Sequence, residues 1–150
     1  MGSLVSVKLG GFDEIAAGLR AFPDALGESA LRKSAVAGAA IIRNEAVLRA
    51  PERSGILKKN IILRHIDEAS DGANHQTYYV TVRSGGRGAD GKKETSLDAF
   101  YWRWVEFGTS KSAANPFMRP AFESRVGDAL AAAKNQMAIS VAQVFAEMSR

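Results

Sequence analysis

The 150-residue sequence contains no cysteine, so disulfide cross-links and thiolate metal sites are excluded. It also lacks any charge-free run of about 18 apolar residues, the minimum for a helix that crosses a membrane. No membrane partner is expected. The opening MGSLVSVKLGGF has neither the basic leader nor the uninterrupted apolar run of a secretory signal. Histidine occurs only at His65 and His75, outside any helical metal-binding pair and away from clustered carboxylates that would complete a site. No serine stands in a G-x-S-x-G elbow, although a serine with either histidine and a distant carboxylate is an arrangement that only geometry can test. No catalytic, cofactor or metal site is therefore expected.

What is present is ordinary for a soluble globular chain: 46% hydrophobic and 24% charged residues. A chain of this length buries roughly 68–70% of its extended surface, enough for a single core, and a single domain over residues 1–150 is expected. Lys and Arg number 20 against 16 Asp and Glu, a formal charge of +4. That balance permits weak attraction to nucleic acid or an acidic protein face and is equally a normal solubilising charge.

Val5, Val7 and Leu9 alternate with polar residues as a short strand does, and Gly10-Gly11 ends it. Phe12, Ile15, Ala16 and Leu19 then recur at helical spacing up to Pro23. A long helix follows from Asp24, with Leu26, Ala30, Ala37, Ile41 and Leu48 as its apolar positions and several small residues between them. Ala50-Pro51 ends it, because proline disfavours helical backbone at the preceding residue and supplies no amide hydrogen. Residues 61–66 and 77–83 read as strands joined by a polar connection. Residues 84–96 have almost nothing to bury and are expected to form a flexible basic loop, mobile in the isolated chain. Residues 100–107 are dense in aromatics and compatible with a short helix, one face carrying Tyr101, Trp104 and Val105, or with a strand. From Pro120 the chain reads as helix to its end, with Phe122, Val126, Leu130, Met137, Val141 and Phe145 as its apolar positions. The expected fold class is α+β: two long helices packed on a small, mainly antiparallel sheet, with a mobile glycine-rich loop.

Gly86-Arg87-Gly88-Ala89-Asp90-Gly91-Lys92-Lys93 follows a strand and fits the G-x-x-x-x-G-K portion of a phosphate-binding loop. It fails at Lys93, where a hydroxyl should meet Mg²⁺, and no helix opens after it, so a flexible basic loop is the better reading. Basic residues gather twice: Arg49, Arg53, Lys58, Lys59 and Arg64 near the first proline turn, and Arg83, Arg87, Lys92 and Lys93 around the loop. Such clusters favour phosphate backbones, but no aromatic stacking platform accompanies them and nearby acidic residues dilute the field. Glu106 sits in an aromatic run. A carboxylate there is either a perturbed acid or a structural acceptor of backbone amides or of Arg103 or Arg119, and the second reading is favoured because no other catalytic group lies nearby.

Ala50-Pro51-Glu52-Arg53-Ser54-Gly55-Ile56-Leu57 matches the pattern A-P-x-x-T/S-G-x-L, in which Gly55 permits a tight bend and Leu57 anchors it. Downstream, Tyr101, Val105, Glu106, Phe107, Gly108 and Thr109 match Y-x-x-x-V-E-F-G-T, and Pro116, Phe117, Arg119, Pro120 and Ala121 match P-F-x-R-P-A. In order and spacing these motifs resemble the small tail-completion or head-tail joining proteins of long-tailed bacteriophages, from about Val5 to Ser149. The resemblance implies an α+β virion subunit without a catalytic centre, which assembles with itself in a ring and contacts tail-tube and neck or connector proteins. Its location would be the virion, and the host cytoplasm during assembly, whether of an active phage or a prophage. A head-completion or adaptor subunit beneath the portal is the nearest alternative, and a basic module making weak contact with DNA in the neck is another. The motif residues would form a structural corner. Phe100, Trp102, Trp104 and Phe117 are candidate interface anchors or core fillers, and Arg87, Lys92 and Lys93 of the loop are further interface candidates.

Overall fold

A computed structural model describes residues 24–72, 74–85 and 98–150. The strand expected at 5–9, the helix expected from Phe12 and loop residues 86–96 lie outside them, with Arg87, Lys92 and Lys93. In order, the elements are α1 (Asp24–Arg49), α2 (Ile56–Asn60), β1 (Ile61–His65), a single 3-10 turn (Asp67–Ala69), β2 (Tyr78–Val82), α3 (Trp102–Phe107) and α4 (Met118–Met148). Two long helices and two short ones thus pack with a two-stranded antiparallel sheet. Among the described residues, no helix is long and apolar enough to cross a membrane.

The first long helix stops where its sequence requires. The Ala50 amide still donates to Ala46, but Pro51 has no amide to continue the ladder. Gly55 then takes φ 72°, a left-handed conformation open to glycine, and turns the chain into α2. Leu57, one turn in, is buried in the core. Strand β1 pairs with β2 so that Ile61 faces Val82 and His65 faces Tyr78. Only the Ile61/Val82 end is buried, which ties the hairpin to the body at its base.

Helices α1 and α4 lie antiparallel, because contacts that move forward along one move backward along the other. Arg49 reaches Ser124, Glu45 reaches Arg125, and Ala30 shares a cluster with Met137 and Val144. Between these ends the contact surface is made of small residues. A Cβ built on Gly38 would stand 2.9 Å from the Ala129 carbonyl oxygen, closer than such atoms approach. Buried Ser34 satisfies its hydroxyl by donating to Ala30 O at 2.8 Å.

The small-residue contact corrects the apolar stripes expected from sequence. Leu48, expected inside, is 76% exposed, and Phe145 is 55% exposed. The buried positions are Gly27, Ala30, Ser34, Gly38 and Ala46 on α1, with Ala50 just after it, and Ala121, Ala129, Ala133, Met137, Ser140 and Val144 on α4. Close helix approach selects residues of low volume, so the largest apolar side chains are not the ones turned inward. A second core gathers Ala46, Ala50, Leu57, Ile61, Val82, Ala99, Phe117 and Ala121 where α1, the hairpin base, α3 and the start of α4 converge.

Candidate functional site

Residues 98–121 form a corner built onto that second core. Tyr101 and Val105, one helical turn apart, both pack against it, which makes this stretch a helix rather than a strand. Trp104, expected on the same face, is instead 56% exposed. The helix ends at Gly108, whose φ 75° and ψ 177° fall in a region that only glycine occupies comfortably. Space imposes the same choice, since a Cβ there would lie 2.8 Å from the Ala114 nitrogen. Thr109 Oγ1 then accepts hydrogen bonds from the Lys111 and Ser112 amides, and the Asn115 amide donates back to the Val105 carbonyl.

Glu106 closes the corner. Its Oε2 accepts from the amides of Phe117 at 2.7 Å and Met118 at 3.0 Å, and its Oε1 from the amide of Arg119 at 3.0 Å. These amides belong to the beginning of α4, where helix geometry leaves donors without intrahelical partners. Phe117 at the cap position has no side-chain oxygen to supply, so a carboxylate 11 to 13 residues upstream does so. Of the readings drawn from sequence, the carboxylate's amide contacts are present; no ion pair with Arg103 or Arg119 occurs among the described residues.

The corner's aromatics divide cleanly. Phe117 is fully buried at 0% exposure and is core, not surface. Trp102 is partly buried, with the Arg103 guanidinium carbon 5.5 Å from its ring centre. Phe100, Trp104 and Phe107 are 54%, 56% and 64% exposed. The rings of Phe100 and Trp104 meet edge to face at 5.6 Å. Beside Phe107 lies a shallow cavity of about 260 Å³ lined by Glu106, Phe107, Ala114, Pro116, Arg119 and Pro120. The earlier turn is separate: Pro51 is half-buried, Ser54 exposed, and Leu57 reaches the shared core.

A second cluster was not foreseen as a group. His65 Nδ1 lies 2.7 Å from Asp67 Oδ1, and its Nε2 lies 3.1 Å from Ser70 Oγ. The spacing is that of a serine–histidine–aspartate array, but the hydrogen-bond directions oppose catalysis. The Gln76 amide donates to the Gly72 carbonyl at 2.6 Å, which turns its Oε1 toward His65 Nε2 at 2.8 Å, so that nitrogen has the glutamine oxygen beside it as well as the serine. Ser70 Oγ donates to the Ile66 carbonyl and accepts from the Thr77 amide. Its proton is directed away from the imidazole, and the group serves as a polar clasp for the hairpin's outer end. The cue in the sequence was a histidine, serine and glutamine at the two sides of a polar connection, which does not reveal the pairing directions.

Among the described residues, no group of three or more His, Cys, Asp or Glu could hold a metal. Arg49 pairs with Glu45 and Lys58 with Glu52, which reduces the free charge of the first basic cluster. Arg53, Lys59, Arg64 and Arg83 are exposed.

Two long helices and two short ones pack with a two-stranded antiparallel sheet, and the buried carboxylate of the corner is committed to backbone amides. Residues 13–108 match the model of the HK97-gp10-like family, a bacteriophage tail component, and the chain belongs to that family. The match takes in α1, the hairpin and the corner as far as Gly108, and ends before the segment 116–121 and α4. No curated protein and no solved structure matched the chain. Membership assigns a structural, non-enzymatic role associated with the phage tail.

Proposed function

We propose that this chain completes or terminates the tail as a ring at its head-proximal end and presents a surface that joins the tail to the neck. Membership in a tail-component family carries this reading. Its support in the molecule is the separation of tasks at the corner: Val105, Glu106, Gly108 and Phe117 build it, while Phe100, Trp104 and Phe107 are left facing outward. Large exposed aromatics beside a fixed backbone are the residues on which association energy concentrates. The partners would be copies of the chain, tail-tube proteins and neck or connector proteins, met in the host cytoplasm and retained in the virion.

Particles made without this protein test the reading by negative-stain microscopy. Headless tails with abnormal upper ends, alongside intact filled heads, are the expected result. Leaking heads with unaffected tails would instead place the chain beneath the portal as a head-completion subunit and overturn the tail assignment.

A further inference from the structure

A closed ring made of one kind of subunit needs two different surfaces on each copy, one to receive and one to be received. The receiving surface would have to be exposed, apolar at its centre and fixed in shape. Phe100, Trp104 and Phe107 meet that description, and the shallow cavity formed by Ala114, Pro116 and Pro120 continues the apolar surface past Phe107. The exposed charged side chains of residues 100–120 are all basic. Arg103, Lys111 and Arg119 are exposed, and none of them has an ion-pair partner among the described residues. Glu106 is buried and committed to amides, and the exposed Glu123 stands one turn from Arg119 along α4.

The complementary surface is at the outer end of the β1–β2 hairpin. Asp67, Glu68 and Asp71 are all exposed there, within five positions of sequence. Four residue steps, roughly 13 Å along the strand, separate this end from the buried base at Ile61. This end is also held in shape before any partner arrives. The Asp71 amide donates to His75 O at 2.7 Å, the His75 amide returns to Asp71 O at 3.1 Å, and the Ser70 and His65 contacts fix the 3-10 turn behind them. Acidic residues held by such contacts lose little freedom on docking, which favours them over a disordered segment as the inserted element.

We infer that the acidic hairpin end of one copy docks on the aromatic corner of the next, with Glu68 and Asp71 facing Arg103 and Arg119 across the contact. The inference rests on the ring reading and names the two surfaces that would close it.

Charge reversal in each surface, followed by both in one chain, tests it. Arg103→Glu with Arg119→Glu, and separately Glu68→Lys with Asp71→Lys, leave the Glu106 amide contacts and the His65–Asp67 pair in place. Association is read by native mass spectrometry and light scattering, with circular dichroism to confirm that each variant is folded. Each reversal alone is expected to weaken assembly by about tenfold or more, because like charges then face each other, and the four-site chain is expected to recover it. A wild-type ring indifferent to both reversals, or no recovery in the four-site chain, overturns this contact and leaves the ring reading standing. A wild-type chain that stays monomeric at high concentration overturns both.

Discussion

Glu106 and Gly108 show how two residues of one short motif do unrelated physical work. The carboxylate accepts three amide hydrogens at the start of α4, and among the described residues no other side chain supplies an oxygen to those amides. Hydrogen bonds to charged acceptors contribute about 1.5–3 kcal/mol by deletion, and bonds to one shared group do not add, so Glu106→Ala is expected to cost about 2–4 kcal/mol. Glu106→Gln retains one acceptor but turns a donor toward an amide, and should cost less, about 1–2 kcal/mol. Urea unfolding of both variants checks the order; equal and negligible losses would show that α4 starts without the carboxylate. Gly108→Ala meets a glycine-only backbone region, worth about 1–3 kcal/mol, as well as the Ala114 nitrogen at 2.8 Å. A thermal midpoint lowered by several degrees is expected for it, at about 2–4 °C per kcal/mol in a chain of this size. The need for glycine after an aromatic run was legible in the sequence. Glu106's partners were not, because they lie beyond an intervening loop and a backbone amide leaves no mark in residue type.

At the scale of elements, the ends of α1 and the pairing of the hairpin were readable because they depend on local chemistry. Pro51 stops a helix that runs up to it from the N-terminal side, and alternating β-branched and aromatic residues make strands of 61–66 and 77–83 to within a residue or so. The inward faces of the long helices were harder. Periodicity weights Leu48 and Phe145 as core, whereas the helix pair closes on Gly38, Ala129 and Ala133, whose small size lets the backbones meet. A paired substitution separates the two effects of glycine in a helix. Gly127 has open space around it, and Gly127→Ala is expected to stabilise by about 0.5–1 kcal/mol through backbone entropy alone. Gly38→Ala gains the same propensity but drives a Cβ to 2.9 Å from a backbone oxygen, and overpacking costs about 1–3 kcal/mol. The expected sign is therefore opposite, with Gly38→Ala destabilising in denaturant titrations; stabilisation by both would mean that the helices part freely at Gly38.

The whole molecule poses a question that the aromatic residues of 100–117 raise in sequence but cannot answer, namely which of them hold the subunit together and which face its surroundings. Composition treats Phe117 and Trp104 alike. The fold separates them: Phe117 is sealed at the junction of α1, the hairpin base and α4, and Trp104 stands on the outer side of a helix whose inner side is Tyr101 and Val105. Truncating a buried phenylalanine costs about 3–5 kcal/mol, because its transfer energy is lost and a cavity remains. Phe117→Ala should accordingly lower stability by that amount in the isolated subunit at any protein concentration. Trp104→Ala removes a ring that is already more than half in water, and should change the unfolding free energy by no more than about 0.5 kcal/mol. If the corner is a joining surface, the same variant should assemble poorly while remaining folded, since an anchoring tryptophan at an interface is worth about 2 kcal/mol or more. Denaturation at two protein concentrations together with sedimentation velocity distinguishes the cases. A Trp104→Ala chain as unstable as Phe117→Ala would make the exposed row part of the subunit's own fold, and one that both folds and assembles normally would remove the row from the joining surface.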